Sequence, residues 1–422
     1  MIQTIQLTPG VTLRCYPDNR FKKCAISLQL LRPMCREEAA KNALLPAVLL
    51  RGTEACPDLR SITWRLDELY GAGAHTMVRR VGEVQTVGFV MSMMEDRFAL
   101  EPEGVLAPGV EFLRQLLLEP VQVAGAFDPD FVESEKRNLI SAIESELNDK
   151  RSYASARMIR LMCRGDSFAV PRLGYAEDVA DQTPESLWAH YQKILRESPV
   201  EIFYVGAAKP ETVAKLLMPL AECLGREVVE VTRKVPFVPQ TEAGEHVEEM
   251  DINQGKLCMG FTTPITSDDP DYEAMRLLCS VYGSGMTSKL FMNVREKLSL
   301  CYYASAGYYG AKGILTVSSG IDEENYETAK AEILRQLDLC AQGEITQEEL
   351  EAARSGILSG LRGVPDSPSA LESYYAVGAI SGNEMTPEEY AARLNRVTLE
   401  DLARCAKSLK LHTVYFLKGV GK

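Results

Sequence analysis

Histidine is the scarcest reactive residue in this 422-residue chain. There are four, His75, His190, His246 and His412, and no two lie within a helical turn of each other. A helical His-x-x-Glu-His or His-x-x-x-His site is therefore excluded, because zinc needs N, S or O donors converging on one point. Only a site gathered from distant His and Cys residues would leave room for a metal. The eleven cysteines include no Cys-x-x-Cys pair, and an odd, scattered set reads as buried, reduced thiols of a cytoplasmic protein. The first residues, Met1-Ile2-Gln3-Thr4-Ile5-Gln6-Leu7, alternate like a strand and lack a basic segment followed by an apolar run, so no signal peptide is expected. The longest apolar stretch, Ala43–Leu50, is far short of the ~20 residues that cross a bilayer. Gly283-x-x-x-x-Ser288-Lys289 lacks the second glycine and the Ser/Thr after lysine of a phosphate loop. No Gly-x-Ser-x-Gly elbow and no Gly-x-Gly-x-x-Gly after a strand occur. A net charge of −13 argues against a nucleic-acid surface and against an anionic membrane surface.

What is present is ordinary globular material, 46% apolar and 25% charged, in a length that favours two domains. The chain reads as two similar halves. Each opens with helical segments and then two strands: Arg36–Arg51, Asp58–Tyr70, Ala74–Val81 and Val84–Met94 in the first, Tyr272–Tyr282, Ser288–Leu298, Tyr302–Tyr309 and Gly313–Gly320 in the second. A longer helix follows in each, Phe131–Asn148 and Glu349–Arg362, the latter capped by Thr346. Each half closes with a Thr-initiated helix and a strand, Val200–Gly206 and Thr413–Leu417. Period-2 apolar positions mark Lys23–Leu31 as a further strand. Two prolines among polar residues make Thr232–Gly244 an extended linker. The expected organisation is α+β: an N-terminal domain over 1–231, a linker over 232–245 and a C-terminal domain over 246–422, each an antiparallel sheet with helices on one face.

Residues 42–53 read Asn-Ala-Leu-Leu-Pro-Ala-Val-Leu-Leu-Arg-Gly-Thr. This segment resembles the signature helix of the insulinase-like (pitrilysin) zinc metallopeptidases, whose His-x-x-Glu-His precedes a Lys/Arg-Gly-Thr. Arg51-Gly52-Thr53 matches the end of that motif, while Ala43, Pro46 and Ala47 stand at its three catalytic positions. In the family a third ligand is a Glu on a downstream helix; Glu135-Lys136-Arg137-Asn138-Leu139-Ile140-Ser141-Ala142-Ile143 matches that frame, with Ala142 at the ligand position. Methyl groups and a pyrrolidine ring neither ligate zinc nor activate water. The resemblance thus implies a peptidase fold with no catalytic residue, no metal ligand and no cofactor. A proline at position 46 should kink the helix or make it begin near Asn42.

A second segment, residues 283–302, reads Gly-Ser-Gly-Met-Thr-Ser-Lys-Leu-Phe-Met-Asn-Val-Arg-Glu-Lys-Leu-Ser-Leu-Cys-Tyr. It is similar to the family's Gly-x-x-x-x-Ser-Arg-Leu-Phe-x-x-Leu-Arg-Glu-Lys-x-Gly-Leu-x-Tyr, in which an Arg and a Tyr seven apart hold the substrate backbone. Arg295 and Tyr302 match that pair, Lys289 replaces an Arg and Ser299 a Gly. Arg offers a planar fork of donors and Tyr a hydroxyl, which suits a peptide. A structural ion pair for Arg295 and a core position for Tyr302 are the alternative. Gly283 and Gly285 fall where a relative, the non-catalytic subunit of mitochondrial processing peptidase, has a glycine-rich substrate loop; a hairpin or helix-entry turn is the plainer reading of them.

The resemblance covers the whole chain and implies two duplicated αββ-type roll domains. It also implies a heterodimer with an active His-x-x-Glu-His paralogue, the two enclosing a chamber for a peptide or unfolded polypeptide. Ala-Leu-Leu-Pro-x-Val-Leu before Gly-Thr is similar to a bacterial branch associated with modification of elongation factor P. Two other readings stand beside it: a scaffold of the same fold with no proteolytic role, and a zinc peptidase using atypical ligands.

Overall fold

The computed structural model describes residues 2–146, 148–240 and 242–420. The first half of the chain forms strands β1 (Gln3–Thr8), β2 (Val11–Pro17) and β3 (Lys23–Pro33), helices α1 (Arg36–Leu49) and α2 (Leu59–Glu68), and strands β4 (Gly73–Val81) and β5 (Val84–Met94). Helix α3 (Leu106–Leu118), a short hairpin of β6 (Gln122–Val123) and β7 (Ala126–Phe127), then helices α4 (Pro129–Ser145), α5 (Lys150–Met162), α6 (Ala176–Ala180) and α7 (Pro184–Glu197) follow. Strand β8 (Val200–Gly206) and helix α8 (Pro210–Ala221) complete it. The second half repeats the order: β9 (Gly244–Met250), β10 (Gly255–Thr262), α9 (Tyr272–Gly283), a π-helical stretch at Leu290–Lys297, β11 (Tyr303–Tyr309), β12 (Ile314–Ile321) and α10 (Tyr326–Gln342). It ends with α11 (Gln347–Gly363), α12 (Pro368–Ser381), α13 (Pro387–Leu394), α14 (Leu399–Ser408) and β13 (Lys410–Gly419).

The duplication is visible in the sheets. The first runs β1-β2-β8-β3-β5-β4 and the second β9-β13-β10-β12-β11, the same order without the β1 edge. The expected all-antiparallel pairing holds except once in each sheet, where β2 and β8, and β9 and β13, run parallel. Each of these pairs joins an early strand of a half, β2 or β9, to its last, and the many intervening residues give the chain room for the crossover a parallel pair needs.

The compact units are not the contiguous stretches expected from the sequence. The first comprises residues 1–144, 170–233 and 364–382; the second comprises 145–169, 234–363 and 383–422. The cause lies in the sheets' second faces. In the first unit Ile26, Leu28, Phe89 and Ile202 pack with Phe112 and Leu116 of α3 into one fully buried core. The other face of the same strands carries Ser27, Gln29 and Arg79 as well as Leu31 and Phe203, and α12 covers it, with Ala376, Ala379 and Ile380 against Leu31, Val84 and Phe203. Helix α5, the counterpart of α12 in the repeat, does the same in the second unit, with Ala154, Met158 and Met162 against Cys258, Tyr415 and Leu417. Helices therefore lie on both faces of each sheet. The expected linker is irregular over 232–240 and 242–243, but Gly244 already begins β9. Thr241, within that linker, and Leu147, within the expected helix 131–148, lie outside the described residues.

Both covering helices are seated by a carboxylate. Glu372 of α12, only 2% exposed, accepts from Ser27 Oγ (2.7 Å), Gln29 Nε2 (3.1 Å) and the two Arg79 terminal nitrogens (3.0 and 2.8 Å). In the second unit the carboxylate sits on the strand: Glu248 accepts from Tyr153 Oη (2.6 Å) and Arg157 Nε (3.1 Å) of α5 and from Tyr415 Oη (3.1 Å).

Candidate functional site

Helix α1 carries the degenerate metal segment. It runs unbroken from Arg36 with Pro46 inside it, rather than starting near Asn42. Pro46 has no N–H, so the carbonyl one turn back loses its helical donor; Leu50 N still donates to Pro46 O at 3.1 Å and the helix continues to Leu49. Ala43 and Pro46 are buried, Ala47 is half-buried, and Ala142 sits exposed on α4. Leu44, Leu45, Val48 and Leu49 belong to the main core of the first unit. None of the four positions carries a donor atom on its side chain, and no three His, Cys, Asp or Glu side chains gather in a metal-binding group among the described residues.

The polar residues beside these positions serve the fold. His190 of α7 is buried, its Nε2 2.7 Å from Asn42 Oδ1. Asn42 donates through Nδ2 to Gln85 Oε1 (2.9 Å), so its oxygen accepts and the His190 proton resides on Nε2. Burial pulls His190 down to about 4. One turn before Asn42, Glu38 pairs with both Arg32 donors (2.8 and 2.7 Å) and with Lys193 (2.8 Å). Burial alone would raise its pKa, but the hydrogen bonds from Arg32 and Lys193 outweigh that and hold it at about 2. Arg51-Gly52-Thr53 is likewise structural. Arg51 lies over Phe131 (5.5 Å) and reaches Glu135 of α4 (3.3 Å), while Thr53 Oγ1 accepts from Cys56 N (3.0 Å).

The second segment is open. The stretch Leu290–Lys297 closes with Leu298 N donating five residues back to Asn293 O (3.2 Å), after which Ser299 takes a left-handed φ of 53°. That turn, where the related motif has glycine, brings Tyr302 back beside Arg295. Both line a pocket of about 390 Å³ with Glu296, Ser299, Leu300, Cys301 and Asp322. Tyr302 is 59% exposed, so it is not a core residue. Its N–H donates to Gly320 O (2.8 Å) at the start of the edge strand β11, and its hydroxyl lies 3.4 and 3.5 Å from the Asp322 oxygens. Arg295 stacks over Phe291 (4.7 Å) and meets Glu296 at 3.1 Å. Lys289, by contrast, is buried against Glu349 (2.9 Å).

Gly283 and Gly285 do not line this pocket. A Cβ on Gly283 would sit 2.5 Å from the Ala306 Cβ, so this glycine lets α9 close on β11. Gly285 has φ 103° and its carbonyl accepts from Ser288 Oγ (2.8 Å), which makes the segment a helix-entry turn rather than a hairpin. Asp322 escaped notice in the sequence. It stands twenty residues from Tyr302, and only the β11–β12 register brings the two together.

Residues 181–357 match the model of the Peptidase M16 inactive domain. The chain is 30% identical over 416 residues to "Probable inactive metalloprotease YmfF" of Bacillus subtilis (strain 168), covering 97% of this chain and 96% of that protein. A conserved protein from Enterococcus faecalis V583 shares 29% identity with a TM-score of 0.91, over 100% of this chain and 99% of that one. The peptidase M16 inactive domain from Pseudomonas fluorescens shares the fold at 16% identity and TM-score 0.80, over 100% and 98% of the chains.

Proposed function

The chain belongs to the M16, insulinase-like, peptidase family as a non-catalytic member, and from this premise we propose that it is the peptide-holding subunit of a heterodimer with an active, zinc-containing paralogue. The observation that carries this reading is the contrast between its two motif segments. Ala43, Pro46, Ala47 and Ala142 offer no donor atom, while a half-buried Arg295 and an exposed Tyr302 share one pocket. A guanidinium fork and a phenol are useful to a peptide backbone even where no water is activated. The extension to elongation factor P modification rests on the resemblance of the Ala43–Gly52 segment alone.

The test is co-purification from the native host followed by peptide turnover. The isolated chain should turn over no unfolded peptide, and the pull-down should bring an M16 paralogue with an intact metal motif whose activity rises when the two are mixed. Chelator-sensitive turnover by the isolated chain would refute the non-catalytic half of the reading. A paralogue whose activity ignores this chain, or a membrane complex in the pull-down, would favour the scaffold.

A further inference from the structure

The pocket of the second unit has a charge balance that the backbone-holding role does not use. Its one cation, Arg295, is already engaged by Glu296 at 3.1 Å and by the Phe291 ring at 4.7 Å. Its second carboxylate, Asp322, meets the Tyr302 hydroxyl at 3.4 and 3.5 Å and, among the described residues, no ammonium or guanidinium within ion-pair distance. The Tyr302 ring beside it is mostly exposed. Leu300 and the buried Cys301 supply apolar surface in the same pocket. An acidic side chain would meet two carboxylates here, and a neutral one would leave Asp322 unused.

We propose that this pocket takes the lysine or arginine side chain of an extended peptide, the cation set between the Asp322 carboxylate and the Tyr302 ring and the aliphatic stem along Leu300 and Cys301. The inference rests on the peptide-holding reading and adds to it a substrate class. Long basic side chains lay their stems on apolar surface and keep the charge at a polar rim, and a cation over a tyrosine face adds to an ion pair that is weak when exposed. The pocket lies at the start of β11, the edge of its sheet, where an extended chain can pair by its backbone. Further along that edge Ser284 Oγ donates to the Ala306 carbonyl (3.1 Å), so backbone pairing at Ala306 would have to displace it.

The experiment is fluorescence anisotropy of the full chain with three labelled ten-residue peptides that differ only at a central Lys, norleucine or Glu. The Lys peptide should bind about tenfold tighter than the norleucine one, and the Glu peptide weakest. The Lys preference should shrink at high salt. Asp322→Asn should erase the Lys preference with an unchanged Tm, Tyr302→Leu should reduce it, and Arg295→Ala should weaken all three peptides by a similar factor. Equal binding of Lys and norleucine peptides, both still weakened by Arg295→Ala, overturns this inference and leaves the peptide-holding reading intact. Binding of none of the three overturns both.

Discussion

The two units share a strand order but differ just after their first helix. In the first, α2 is a regular helix with a capping box, Asp58 accepting from Ser61 N (2.7 Å) and Ser61 Oγ from Asp58 N (3.1 Å). In the second, the corresponding stretch is π-helical and ends on a left-handed serine, and the pocket of Arg295 and Tyr302 opens beside it. Irregular backbone of this kind concentrates where side chains must be aimed at something. The regular copy shows what the element becomes when only stability shapes it. The units also differ in how their covering helices are held: Glu372 is sealed, whereas the Glu248 side chain is 29% exposed.

Five perturbations would break or sharpen that contrast. The largest is excision of Val364–Gly382. It strips Ala376, Ala379 and Ile380 from a face that includes Leu31, Val84 and Phe203. At ~1.5–3 kcal/mol per large side chain uncovered, the loss rivals a whole domain's stability of ~5–15 kcal/mol. Hydrogen exchange should show β3, β4 and β5 unprotected, and retained protection would contradict the account. Glu372→Ala comes next, because it leaves Ser27, Gln29 and Arg79 facing a void; about 3–5 kcal/mol is expected in urea unfolding. Glu248→Ala, at the more open seat, should cost about 1–2 kcal/mol, and equal costs would erase the distinction between the seats.

Acid should single out the first unit. His190 has its pKa lowered to about 4 by burial, against about 6.5 in an unfolded chain. Below pH 6.5 the unfolded state takes up a proton that the folded state refuses until about pH 4, so stability is full above 6.5 and falls through that window by roughly 3 kcal/mol. Glu38 acts lower, its contribution fading from about pH 4.5 towards 2. His190→Gln should flatten the upper window and leave the lower one, as read by urea midpoints at a series of pH values. The smallest effect is Ser299→Gly, which relieves a left-handed φ of 53° and should raise stability by under about 1 kcal/mol. A fall in stability would mean that the serine hydroxyl holds the turn.

Much of this was legible in the sequence because it is local. The strand over Lys23–Leu31 and the Thr346 cap follow from period-2 alternation and from a side chain reaching Glu349 N (3.1 Å). The motif frames paired Arg295 with Tyr302, and both line one pocket, since their spacing is fixed within a single turn-and-strand segment. What was not legible depends on distant partners. Helix α12 has Ser27, Gln29 and Arg79 as its partners across some three hundred residues of chain, and no periodicity records that. The parallel pairs β2–β8 and β9–β13 are hidden for the same reason. Pro46 is the opposite case: the local rule allowed either a kink or a start near Asn42, and the helix starts at Arg36, with Leu44, Leu45 and Val48 around Pro46 in the packed core.

The order of the chain has a consequence in time. The first unit has everything up to Arg233 early in synthesis, yet its last piece, Val364–Gly382, emerges 149 residues later (382 − 233). At a ribosome rate of about 5–20 residues per second, that is a wait of roughly 7–30 s. Throughout it, the face bearing Leu31, Val84 and Phe203 stands open beside Ser27, Gln29 and Arg79. Those polar side chains keep the waiting face wet, and so they work as gatekeepers against sticking before they work as the seat for Glu372.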